Sequence, residues 1–88
     1  MEEMTPYRGH AKKHGVLAYD IKNDAIDVEF TSGWVYHFSY AKPGALRVER
    51  MKQLAESGYG LSTFISKHVK NRYESRRRKE DLTQPFSS

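Results

Sequence analysis

The sequence predicts an α+β domain: a three-stranded antiparallel β-meander packed on one face by two C-terminal α-helices. Three observations carry this reading. Residues 25–30 and 34–40 place large apolar side chains at every second position. Residues 45–73 place them three and four apart, the period of a helix with one dry face. A single break, Ala41-Lys42-Pro43-Gly44, divides the two regions, so strands are followed by helices.

Residues 1–14 carry Pro6, Gly9, two histidines and three basic residues with no apolar period, and read as a flexible basic arm. Val16–Ile21 is the first strand, closed by the turn-like Lys22-Asn23-Asp24. In Ala25–Phe30, Ile26, Val28 and Phe30 share one face, while Asp27 and Glu29 point to the other, which reads as a wet sheet face. After Thr31-Ser32-Gly33 comes "GWVYHFSY", in which Trp34, Tyr36, Phe38 and Tyr40 form one aromatic row. Pro43 suits the first turn of a helix over Ala45–Glu56, where Val48, Met51 and Ala55 align and Gly58 is placed as the C-terminal cap. A second helix begins near Leu61 or Ser62, with Phe64, Ile65, His68, Val69 and Tyr73 on one side and Lys67, Lys70, Arg77 and Arg78 on the other. Beyond Tyr73 the apolar stripe stops. Residues 74–88 therefore read as a basic extension of that helix running off the core, then a disordered tail.

The loop between the second and third strands decides what the aromatic row is. A two-residue loop, Ser32-Gly33, sets the row on the face away from Ile26, Val28 and Phe30, exposed as a base-stacking platform. A three-residue loop pairs Val28 with Tyr36 and Ile26 with Phe38, and gathers the large apolar side chains on one face. A loop of three with Gly in the left-handed position is a common hairpin form. It also buries far more apolar area, at about 25 cal/mol per Å², which a domain of 88 residues needs. The row is therefore expected in the core.

The charge is uneven. Seven basic residues and one acid lie between Lys67 and Lys79, giving +6 of a net +4, so the rest of the chain sums to −2. Such asymmetry points to a polyanion contact at one end. The chain has no Cys, hence no disulfide framework or thiolate site. Its apolar runs fall far short of the roughly 20 residues of a membrane span, and the acidic start is unlike a signal peptide. A cytoplasmic protein is expected.

The segments "GVLAYDIKNDAIDVEFTSGWVYHFSYAKPG" and "LAESGYGLSTFISKHVKNRY" together resemble the KTSC domain, a small module named after the C-terminus of some lysyl-tRNA synthetases. The resemblance spans about residues 15–73 and rests on the "AYD" strand, the "DVEF" strand, the aromatic–x–aromatic centre, a Pro before the first helix, "AES" and "FISKHVKNRY". It implies the same fold and, through the synthetase association, RNA binding.

For function, Lys67, Lys70, Arg72, Arg76, Arg77, Arg78 and Lys79 form the candidate nucleic-acid contact, since basic side chains on one face neutralise phosphates regardless of base sequence. The run Arg76–Arg78 suits phosphate geometry through its guanidinium forks. Tyr59, between two glycines, is placed to add stacking. The competing reading is a protein-interaction module that pairs with a partner protein or a second copy through its sheet edge. No enzyme signature is present: there is no phosphate loop or nucleophile elbow, and Ser57, Ser62 and Ser66 read as capping and surface residues. His10 and His14 are four apart, but Gly9 and Gly15 oppose a helix there, so no metal or cofactor is expected. His68 reads as a core-edge histidine.

Overall fold

A computed structural model describes residues 4–7 and 15–79. The expectations for residues 8–14, including His10 and His14, and for the tail after Lys79 lie outside the described residues. The fold is α+β, with a five-stranded antiparallel sheet in the order β1-β2-β3-β4-β5. The strands are β1 (Thr5–Pro6), β2 (Val16–Lys22), β3 (Ala25–Phe30), β4 (Trp34–Ser39) and β5 (Ser75–Arg78). Helix α1 spans Ala45–Ser57, and α2 (Leu61–Phe64) continues into a π-helical stretch, Ile65–Val69.

The central meander follows the expected register. Val28 faces Tyr36 and Ile26 faces Phe38, so the β3–β4 loop has three residues. Gly33 takes the left-handed conformation in that loop, φ 97°, and donates its N–H to the Phe30 carbonyl. Ile26, Val28 and Phe38 are buried against Val48, Met51 and Ala55 of α1 and against Leu61, Ile65 and Val69. Gly58, φ 77°, caps α1 with its N–H directed at the Leu54 and Ala55 carbonyls.

Two expectations are corrected. Three strands become five because both flanking segments are recruited as edges. At the N-terminal side, Thr5 and Pro6 pair with Tyr19 and Ala18. Tyr7, only 2% exposed, enters the core, where its hydroxyl accepts the Leu61 N–H at 3.0 Å. Residues 4–7 are thus not a free arm. A buried phenol that satisfies a helix-terminal donor anchors the segment.

At the C-terminal side the basic helix extension is replaced by β5. Helical backbone ends after Val69, where Lys70, Asn71 and Arg72 leave nothing apolar to bury. The Arg72 N–H turns back to the Val69 carbonyl, and the chain crosses to the open edge of β4. There Arg76, Arg77 and Arg78 pair with Tyr36, Val35 and Trp34. Arginine favours helices, but the unpaired edge of β4 and the side-chain partners on its two faces outweigh that weak preference.

Candidate nucleic-acid interface

Because β5 is a strand, its cations alternate between the two sheet faces. Arg76 and Arg78 turn to the helix-covered face, at its rim. The Arg76 guanidinium lies 4.4 Å from the centre of the Trp34 ring, and that of Arg78 lies 5.1 Å from it. Arg76 also donates to the Tyr36 hydroxyl at 3.2 Å and stands 5.8 Å from the Tyr73 ring centre. The hydroxyl accepting from Arg76 raises the guanidinium pKa above its ordinary value, so Arg76 is a fixed cation.

The aromatic row graduates from core to surface. Phe38 is fully buried, and Tyr36 packs edge-on against Phe30 at 5.3 Å and against Tyr73 at 4.7 Å. Trp34 is half-buried under the two arginines, and Tyr40 is exposed, its hydroxyl donating to Glu49 at 2.5 Å. The row is core at Phe38 and a cation-bearing surface at Trp34.

Beside this stack lies a pocket of 300 Å³ walled by Phe30, Tyr36, Ile65, Ser32, Ser62, Ser66 and Lys70. Tyr36 is common to the pocket and to the arginine stack. Lys70, Arg76 and Arg78 therefore border one aromatic surface formed by Tyr36 and Trp34.

The other predicted residues go elsewhere. Arg77 and Lys79 turn to the opposite sheet face, where Arg77 lies 3.7 Å from Asp27 and Lys79 lies 3.3 Å from Glu29. Lys67 and Tyr59 line a groove between the helices, with Arg50 and His68. Arg72 is exposed at the turn after the second helix. The eight residues do not form a single patch, because the helix meant to align them ends at Val69.

The sheet face expected to be wet holds a buried charge cluster. Asp27 is 2% exposed, with His37 Nδ1 at 2.5 Å, Arg77 at 3.7 Å and Lys22 at 3.8 Å. The far nitrogen of His37 is 3.6 Å from Glu74. The two carboxylates approach opposite edges of one imidazole, so they cannot converge on one ion. Among the described residues no His, Cys, Asp and Glu group is arranged to hold a metal. His68, read as a core-edge residue, is exposed with its ring 4.7 Å from that of Phe64.

Sequence reasoning placed Trp34 in the core, with an exposed stacking platform as the alternative, and did not single out His37. The signal for Trp34 was its place at the mouth of the loop, where a strand leaves the core. His37 alternates with the aromatic row and faces Asp27, a pairing visible once the loop length is set. No described helix is long and apolar enough to cross a membrane. Comparison with family models, with curated proteins and with solved structures found no match.

Proposed function

We propose that this chain is a small non-catalytic, KTSC-like accessory protein of the cytoplasm that binds RNA through Lys70, Arg76 and Arg78 around Trp34 and Tyr36. The observation that supports it is the pair of guanidinium groups set 4.4 and 5.1 Å from the Trp34 ring beside an aromatic pocket bordered by Lys70. Planar cations on a half-buried aromatic at the sheet rim suit single-stranded nucleic acid, which offers both phosphates and unstacked bases. Arg77 and Lys79 are already matched by carboxylates and contribute to the sheet rather than to the ligand. Pairing through the sheet edge is less well supported, because β5 is four residues long with three arginines, the composition of an edge that discourages further strands.

The test is fluorescence anisotropy of a labelled oligouridine titrated with the full chain over a range of salt concentrations. The expected result is salt-sensitive binding, with the double variant Arg76→Gln/Arg78→Gln lowering the log–log salt slope by about 1.4, or about 0.7 per lost phosphate contact. Salt-independent binding, or no binding at low salt, rejects the reading.

A further inference from the structure

The groove between the helices forms a second surface, argued independently of the RNA reading; Ser62 of the second helix borders both it and the Lys70 pocket. Two cavities of 530 and 330 Å³ share Arg50, Phe64 and His68, and so form one groove between α1 and the second helix. Its apolar surface includes Leu46, 85% exposed, at one end and Tyr59, 81% exposed, at the other. Leu46, Arg50 and Leu54 lie four apart on α1, a stripe about 12 Å long at 1.5 Å per residue. Its basic side chains are Arg47, Arg50 and Lys67, and among the described residues no carboxylate lines either cavity. Arg47 and Lys67 have no ion-pair partner among the described residues, and Arg50 is engaged only by the neutral Gln53.

We propose that this groove docks an acidic amphipathic helix of a partner protein, with apolar side chains on Leu46 and Phe64 and carboxylates on Arg47, Arg50 and Lys67. A stripe of about two helical turns with an apolar floor and a cationic rim matches helix-in-groove recognition. RNA fits less well, because the aliphatic Leu46 offers neither stacking nor a phosphate partner. A second copy fits less well too, since an isologous contact sets Arg47 and Arg50 against basic residues of the same rim.

The probe is a display library of short random peptides selected on the immobilised full chain, with the enriched peptide then measured by anisotropy. Enriched sequences are expected to place apolar residues three or four apart with Glu or Asp beside them. Affinity should fall about tenfold or more in Leu46→Asp and in Arg50→Glu. Oligouridine affinity should be unchanged in Leu46→Asp. That variant keeps its fold, because Leu46 is outside the core and an acid in the first turn of a helix is favourable; an unchanged thermal midpoint checks it. The proposal is overturned by no enrichment above a blank surface, by enriched peptides without acids, or by peptide binding indifferent to Leu46→Asp. Sedimentation of the wild type as a dimer that Leu46→Asp dissociates assigns the groove to a second copy instead. Loss of oligouridine binding in Leu46→Asp assigns it to nucleic acid and equally overturns the proposal.

Discussion

His37 and Asp27 face each other across β4 and β3, Nδ1 to Oδ1 at 2.5 Å, with the carboxylate buried on the sheet face opposite the described helices. In the tautomer that makes this bond, Nδ1–H donates and the carboxylate oxygen accepts. Removing the carboxylate takes their shared anion from Arg77, Lys22 and the imidazole, although Lys22 keeps Asp20 at 3.0 Å and His37 keeps Glu74 at 3.6 Å. Asp27→Ala is expected to cost about 2–3 kcal/mol, below the full cost of breaking a buried pair because the cations are partly solvated. Asp27→Asn, which keeps an acceptor for His37, should cost less. Urea denaturation of both variants checks the order, and equal losses would show that hydrogen bonding to His37 adds nothing.

The alternation in β5 separates binding from stability between adjacent residues. Arg77→Gln is expected to destabilise the fold through Asp27 and leave oligouridine affinity nearly unchanged. Arg76→Gln should weaken binding and remove the cation–π contact with Trp34. Trp34 is the single tryptophan, so acrylamide quenching of its emission should rise in Arg76→Gln and stay constant in Arg77→Gln. The reverse pattern would contradict the strand assignment.

Tyr7 ties the first strand to the second helix. Tyr7→Phe leaves the ring in place but orphans the buried Leu61 N–H, with an expected cost of about 1–3 kcal/mol. Tyr7→Ala empties the site and should cost about 3–5 kcal/mol, as for other large aromatic truncations in cores. If thermal or urea unfolding finds both variants as stable as the wild type, residues 4–7 do not belong to the folded unit.

Glu49 links α1 to the end of β4. Its carboxylate accepts from Lys52 at 2.8 Å and from the Tyr40 hydroxyl at 2.5 Å, and these bonds, Lys52 first, lower its pKa. A lowered folded value means that the stabilisation is fully present above the ordinary glutamate pKa of about 4.3. It is lost as pH falls through the folded value. The Tyr40 hydroxyl is raised, mainly by the same bond to Glu49, so its share is present below about pH 10 and lost as pH rises through the raised value. The gap in thermal midpoint between wild type and Glu49→Gln should be level near neutrality and narrow at both extremes. A gap that does not vary with pH would contradict the linkage.

The central meander and α1 were legible in the sequence because burial admits only one arrangement of so few large side chains. Phe30, Val28 and Ile26 had to share a face with Trp34, Tyr36 and Phe38, and only the three-residue loop does that. The edge strands were not legible. Thr5-Pro6 has no period to read, and Arg76-Arg77-Arg78 scores as helix by local preference, while its reasons for being a strand are forty residues away in Tyr36 and Trp34. For the same reason the candidate site was half read: the cations were identified, but the surface that sorts them was not. Asp27 misled in the same way, since polar alternation marks a face without saying what folds over it.

The two-way alternation in β5 also makes the molecule's charge display a matter of alignment rather than composition. Sliding that strand by a single residue along β4 would exchange the two sets of cations, turning Arg76 and Arg78 onto the acids and Arg77 and Lys79 onto the tryptophan. The Lys79 N–H donating to the Gly33 carbonyl at 2.9 Å and the Glu74 N–H donating to the His37 carbonyl at 2.8 Å pin the strand at its two ends. The register of β5, closed at each end by these two main-chain hydrogen bonds, thus acts as the polarity key of the domain: it decides which cations meet the tryptophan and which meet the carboxylates.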